Sequence, residues 1–373
     1  MGISSIGLNS LIVILIFGSL LLLSFIFIVN PLHINRKGNT LFGCTVLLWA
    51  TFWIEEIISL VGGQELSGLP LFLLRTAQFP APIIFYLSVL YYTNPDFRPG
   101  KKFFLMLILP FLYVALLTCK FFGSYADSVI MNVILTGLII VQILIYTVAS
   151  FIRINRHQKK IQLYSSNTHE IDLSWLQYVI GLVIGVSFIT VLYNVFFWET
   201  SLNLFMNILF LLVIYWMAYF ALQQGEVFPA DARQRKEIIS LEEESPVNEP
   251  KRKLIQDEEF GPLKNKLENL MEQQQPYLDC DLNLIRLAEM MKITPHQLSY
   301  LINTGFGENF FQFINRYRVN KAKELLLLQN MSQFSILGIA FESGFSSKTA
   351  FNTTFKKFTQ VTPSEFKRKS ATL

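Results

Sequence analysis

Three charged side chains, Glu55, Glu56 and Arg75, interrupt sequence that is otherwise uncharged and apolar for long stretches. An ionisable group in such surroundings is costly and needs a counter-charge or a wet cavity. Glu56 lies five residues before Val61 and Arg75 six beyond Leu69, so at ~1.5 Å rise per residue both sit roughly 8–9 Å from the outer ends of their segments. An ion pair, a glutamate reaching to the interface, or an externally open site for a signal ligand each fit this placement. A second concentration of charge lies at the other end of the chain. From Asp281 onward twelve Lys and Arg face six Asp and Glu, while the whole chain carries only +4. Positive charge gathered in that way suits phosphate contacts. Enzymatic chemistry is less well supplied, because no paired His and carboxylate cluster, Gly-rich phosphate loop or kinase-like segment occurs. Cys44, Cys119 and Cys280 have no metal-ligand spacing and are expected to be packing residues, so neither metal nor cofactor is anticipated.

The elements that must carry these groups divide in two by composition. The chain is 52% hydrophobic with a mean hydropathy of +0.42, above the usual ~45–50% apolar content of soluble domains. Seven stretches meet or approach the ~20 apolar residues that cross a bilayer, at 8–29, 41–61, 69–92, 103–121, 129–152, 175–197 and 202–222. The first lacks a basic leader and a cleavage site, and is read as a retained span. Pro70, Pro80 and Pro82 predict a kink in the third, tolerable where neighbouring helices satisfy the freed carbonyls. Loops after the odd-numbered stretches hold nine basic residues, among them Arg36, Lys37, Arg153 and Arg156, whereas the opposite loops offer Lys120 alone. That bias puts the N-terminus outside and the C-terminal half in the cytoplasm. Trp53, Tyr86, Tyr91, Tyr92 and Trp198 are expected to be interfacial aromatics. Residues 223–260, with the acidic run Glu242 to Glu244 and the basic triplet Lys251 to Lys253, read as a linker, partly helical near 232–241.

Beyond the linker the apolar spacing is that of short amphipathic helices. Leu263, Leu267, Leu270 and Met271 share one face. Leu284, Leu287, Ala288 and Met291 line a second helix, a turn with Ile293 follows, and Thr294 caps a third helix that has Pro295 at its first position and Leu298, Leu301 and Ile302 inward. The pattern recurs with Ser335, Ile336, Ile339 and Ala340, the turn glycine Gly344, the cap Ser347, and the inward Ala350, Phe351 and Phe355. Between the repeats, 309–328 is predicted to form one long connecting helix. The expected fold class is therefore all-α: a seven-helix transmembrane bundle over 1–222, the linker, and over 261–373 a cytoplasmic all-α domain with two helix-turn-helix units, whose second helices enter the major groove.

The stretch FINRYRVNKAKELL, with SILGIAFESGFSSKTAFNTTFKKFTQVTPSEFKRK after it, resembles the DNA-binding domain of AraC-type transcriptional regulators. Arg318, Ala322, Ile339-Ala340, Gly344-Phe345, Phe355-Lys356 and Thr362-Pro363 carry the resemblance, which covers roughly 277–369. It implies base-reading positions at His296, Ser299 and Tyr300 in the first recognition helix and at Lys348, Thr349, Asn352 and Thr353 in the second, where Thr353 stands in place of a longer polar side chain. Lys356 and Lys357 are the preferred phosphate contacts. Arg318 is expected to be an internal ion-pair partner. The apolar half is similar to the multi-span sensory half of some bacterial members. The implied function is a membrane-anchored transcriptional regulator in the bacterial inner (cytoplasmic) membrane, with double-stranded DNA, the lipid bilayer, an unknown signal ligand and a second copy of the chain as expected partners. The rival reading is a transporter or channel with a regulatory tail, which the scarcity of charged groups and the lack of repeated broken helices within the spans disfavour.

Overall fold

A computed structural model of the chain describes residues 5–31, 33–123, 128–168, 171–196, 203–225, 227, 254–327 and 335–370. Among them no strand occurs, and the structure is helical apart from one antiparallel bridge between Ser165 and Asn283. Two compact units are present. The first joins Met1–Arg156 with Leu173–Phe228, and the second joins His157–Asp172 with Pro229–Leu373.

In the first unit α1 (Ser5–Val29) packs on α2 (Arg36–Ala50). Small Gly43 allows the crossing, since a Cβ there would meet Ile28 Cγ1 at 2.8 Å and the Ser24 carbonyl at 3.0 Å. Ser24 Oγ donates to the Gly43 carbonyl at 2.9 Å, tying the crossing together. A 3-10 turn, Thr51–Trp53, separates α2 from α3 (Ile54–Leu60). The third apolar stretch forms α4 (Gly68–Gln78) and α5 (Ala81–Thr93), which packs on α2. Its break falls at Phe79 and Pro80, one of the predicted kink sites. Pro70 causes none, because it lies in the first turn of α4, where a missing N–H is harmless. At the break the Ile83 N–H turns to the Pro80 carbonyl, and Gln142 Nε2 donates instead to the Phe79 carbonyl at 2.5 Å.

Next come a 3-10 stretch, Lys101–Leu107, then α6 (Ile108–Phe122), α7 (Val129–Ile161), α8 (Ser174–Phe196) and α9 (Asn203–Leu222), the last packed on α1 and α8. Six helices among the described residues are long and apolar enough to cross a membrane, at Gly7–Val29, Arg36–Leu60, Gly68–Thr93, Phe103–Phe122, Val129–Ile161 and Leu204–Leu222, and Ser174–Gly185 is a shorter apolar one. Tyr92 departs from the expected aromatic belt. It is only 1% exposed, and its hydroxyl donates to Asn39 Oδ1, beside an Asn39 amide that donates to Asn30 and to the Ile34 carbonyl. Cys119 departs from its expected packing role and is exposed. Trp198, the 232–241 segment and the charge runs of the linker lie outside the described residues.

The second unit is built around α10 (Asp257–Gln273), α11 (Leu284–Met291), α12 (Pro295–Phe306), α13 (Phe310–Leu327), α14 (Ile336–Glu342), α15 (Lys348–Thr359) and α16 (Pro363–Ser370). Each short helix is stopped and started by its own sequence. Asn283, Thr294, Ser335 and Ser347 are N-caps whose side chains accept the backbone N–H three residues on, a contribution of ~1 kcal/mol each. Thr294 and Gln297 complete a reciprocal capping box. Leu284, Leu287, Ala288, Met291, Leu298, Leu301 and Ile302 are fully buried, so α11 and α12 close one core. Val319, Ala322, Leu325 and Leu326 of α13 build a second with Ile339, Ala340, Phe345, Phe351 and Phe355.

Candidate nucleic-acid interface

The helix pairs α11/α12 and α14/α15 are in register with each other. Counting from the caps Thr294 and Ser347, Leu298 corresponds to Phe351 and Ile302 to Phe355, and all four are buried. The outward positions correspond as well: His296 with Thr349, Ser299 with Asn352, and Tyr300 with Thr353. Leu287-Ala288 and Ile339-Ala340 repeat the match in the first helix of each pair, with alanine at 0% exposure where the helices cross. Equal spacing from the cap at 3.6 residues per turn therefore puts the candidate base-reading side chains on the same face of α12 and α15.

Their surroundings differ. On α15, Lys348, Thr349, Thr353 and Lys356 are exposed and Asn352 is half-buried, while Ala350, Phe351, Thr354 and Phe355 hold the helix to the core. Lys357 is also exposed, but its ammonium sits 5.4 Å from the Phe311 ring centre, which makes it less available to a phosphate than Lys356. On α12, His296, Ser299 and Tyr300 are half-buried. Phe260 of α10 meets Tyr300 edge-on with ring centres 6.2 Å apart, and Ser299 accepts from the Asn303 side-chain amide through its carbonyl at 2.9 Å. Lys264 of the same helix donates to the Gly305 carbonyl at 3.0 Å and lies over Phe306. Hence α10 braces the first helix pair from the side.

Several other basic residues are occupied within the module. Arg286 pairs with Asp279 at 3.4 Å, Arg316 with Glu308 at 3.0 Å, and Lys321 with Glu324 at 3.9 Å. Arg318 is internal, as expected, but its partners are carbonyls and a hydroxyl rather than an acid. Nε donates to the Tyr277 carbonyl at 2.7 Å, and Nη2 to the Asp279 carbonyl at 2.8 Å and to Ser166 Oγ at 3.1 Å. Burial lowers its pKa to about 10, opposed by nearby Cys280, Asp279 and Asp281, so the guanidinium stays charged at neutral pH. Gly344 is held at φ 85°, and a Cβ there would meet the Tyr277 carbonyl at 2.3 Å. The loop that receives Arg318 is thus also the one against which the turn of the second pair packs.

In the first unit Arg75 pairs with Glu55 at 2.9 Å, not with Glu56, which is exposed. Neighbouring helical residues point ~100° apart, and the 3-10 turn before α3 selects Glu55. Arg75 also donates to Gln78 Oε1 at 3.3 Å, and Gln78 donates to the Thr51 carbonyl and hydroxyl at 3.2 Å. A chain of polar groups thus links the two helix breaks. Both charged side chains keep about 40% exposure.

Sequence comparison agrees with the geometry of the second unit. Residues 287–369 match the family model described as a helix-turn-helix domain. The chain is 34% identical over 87 residues to an uncharacterized HTH-type transcriptional regulator of Staphylococcus aureus (strain COL), covering 23% of this chain and 11% of that one. It is 35% identical over 82 residues to the uncharacterized transcriptional regulatory protein YesN of Bacillus subtilis (strain 168), covering 22% of each. Among solved structures, the C-terminal domain of AraT, a response regulator from Geobacillus stearothermophilus, shares 30% identity, with 29% of this chain and 85% of that chain covered and a TM-score of 0.27. The chain thus spans about a tenth to a fifth of the curated relatives it matches. Its C-terminal helices carry a helix-turn-helix domain over residues 287–369.

Proposed function

We propose that the chain is a membrane-anchored transcriptional regulator of the bacterial inner membrane, in which α11/α12 and α14/α15 are two helix-turn-helix units that read successive major-groove faces of double-stranded DNA. The observation that carries this reading is the register match of the two pairs, which gives both second helices a polar stripe, joined by lysines on α15, opposite an inward stripe of core residues. Asn352 suits a bidentate contact with adenine and Lys348 a contact with guanine. Lys356 suits a phosphate.

Anchoring is supported by the six long apolar helices and by the large side chains they expose, including Leu22 at 62%, Phe25 at 63%, Phe111 at 79% and Ile130 at 73%. Apolar surface of that extent needs a cover, and lipid is the cover that matches the helix lengths. The Glu55, Arg75 and Gln78 chain is the signal-responsive site of this reading, half-exposed and placed where two helices break. Its ligand acts by binding one state of the bundle better than another.

The test is selection from a random pool of duplexes by the full chain held in lipid nanodiscs. Enrichment of a shared sequence is expected. Asn352→Ala should lower discrimination at one base position by ~1–3 kcal/mol. Lys356→Ala should weaken all duplexes alike and reduce the salt slope by about one. Failure to enrich any duplex at low salt would end the regulator reading.

A further inference from the structure

Residues 157–172 comprise the last turn of α7 and most of the segment that leads to α8, yet they fold with the C-terminal helices. Within them, 162–167 serves as a strap across the module. The Phe311 N–H donates to the Gln162 carbonyl at 3.0 Å, and the Leu284 N–H to the Tyr164 carbonyl at 2.9 Å. Both donors belong to the first turns of their helices, whose N–H groups have no partner inside the helix. Ser165 bridges Asn283, the cap of α11. Ser166, 2% exposed, donates to the Leu282 carbonyl at 2.6 Å. Its own carbonyl accepts from Asn315 at 2.9 Å and from Arg318 at 3.4 Å, and its hydroxyl from Arg318 at 3.1 Å. Asn167 donates to Ser346 Oγ at 2.7 Å, next to the cap of α15. The strap therefore touches the first helix pair, the connecting helix and the second pair. It also supplies acceptors that the buried Arg318 and Asn315 need.

We propose that 162–167 is an intramolecular ligand of the DNA-binding module, and that its docking fixes the two helix-turn-helix units in the mutual geometry that grips DNA. The proposal rests on the regulator reading above. The strap is tethered on one side to α7 and on the other to α8, so displacement between those helices must be absorbed within 162–173. Two linked units bind more tightly when held at the right spacing, because the ordering cost is met in advance. An undocked strap leaves that spacing unfixed and weakens the grip.

The experiment uses the full chain in nanodiscs with Cys44, Cys119 and Cys280 replaced by Ser. The pair Asn167→Cys with Ser346→Cys should close a disulfide on mild oxidation, visible as two tryptic fragments joined until reduced. No bond above the level of either single variant would overturn docking. Adding Ser166→Val removes the hydroxyl shared by Arg318 and Leu282. When reduced, that triple variant should hold an enriched duplex at least tenfold more weakly than the unmodified chain. On oxidation it should recover to within threefold, a rescue that misfolding cannot imitate. Unchanged retention when reduced, or no recovery on oxidation, would overturn the coupling. If the unmodified chain enriches no duplex, the regulator reading falls and the coupling with it, whereas the disulfide still decides whether the strap docks.

Discussion

Glu365 accepts the Thr362 N–H at 2.9 Å while its own N–H donates to Thr362 Oγ1 at 3.3 Å, a reciprocal cap at the start of α16. The Thr362 backbone bond and then its hydroxyl hold the carboxyl below the ordinary glutamate value of 4.5. A depressed acid stabilises the fold fully above its unfolded value, and that contribution is lost as pH falls through the folded one. The protection of the Thr362 amide, its exchange rate relative to the intrinsic rate at the same pH, should therefore hold down to pH 4.5 and fall below it. In Glu365→Gln the step should vanish, and a step that persists would assign it to another group. At this scale the sequence discloses some things and withholds others. Thr362 followed three residues later by Glu365 is a local pattern that can be read directly. Arg318 could be read as internal but not as carbonyl-bound, since its acceptors at Tyr277, Asp279 and Ser166 are set by loops brought from elsewhere. Glu55 rather than Glu56 meets Arg75 for a similar reason: one residue of rotation decides the pair, and the 3-10 turn that sets the rotation has no clear signature.

Among the elements, the turn between α14 and α15 is the least tolerant. Gly344→Ala would place a methyl 2.3 Å from the Tyr277 carbonyl at a φ of 85° that alanine disfavours. The conformation alone costs ~1–3 kcal/mol, and the neighbour is backbone that cannot simply rotate away. Calorimetry of the full chain should show the transition of the second unit lowered by ~4–8 °C for each kcal/mol lost. Gly305→Ala is the matched control, because it lies in helix α12 where a Cβ would meet Phe260 and Lys264 at ordinary contact distances of 3.4 Å or more, and alanine is the better helix former by up to ~1 kcal/mol. It should leave that transition unchanged or raise it, and equal losses at both positions would refute the steric account. These short helices were legible because everything that defines them is local: a cap, an apolar face of period 3.6 and a turn residue. The strap at 162–167 was not legible. Ser166 pairs with Leu282 and Arg318 across more than a hundred residues, and a serine in a polar loop carries no mark of such a partner.

For the whole molecule the deciding quantity is orientation, since a DNA-binding module works only on the side where DNA is. The loops that carry basic residues are also those whose charges have structural work within the first unit: Lys37 donates to the Pro95 carbonyl at 3.4 Å and lies 5.2 Å from the Tyr91 ring centre, and Arg153 donates to Thr93 Oγ1 at 2.9 Å. Positive charge resists transfer across a membrane during insertion, so under the proposed anchoring, insertion and these packing contacts would favour the same arrangement. In a cysteine-free chain, Gln64→Cys between α3 and α4 should react with a membrane-impermeant maleimide in intact cells. His33→Cys, in the loop before α2, should react only after permeabilisation. Both sites are exposed, which removes burial as the cause of any difference. The reverse labelling would put the second unit outside the cytoplasm, and no arrangement of α12 and α15 could then bring it to a promoter.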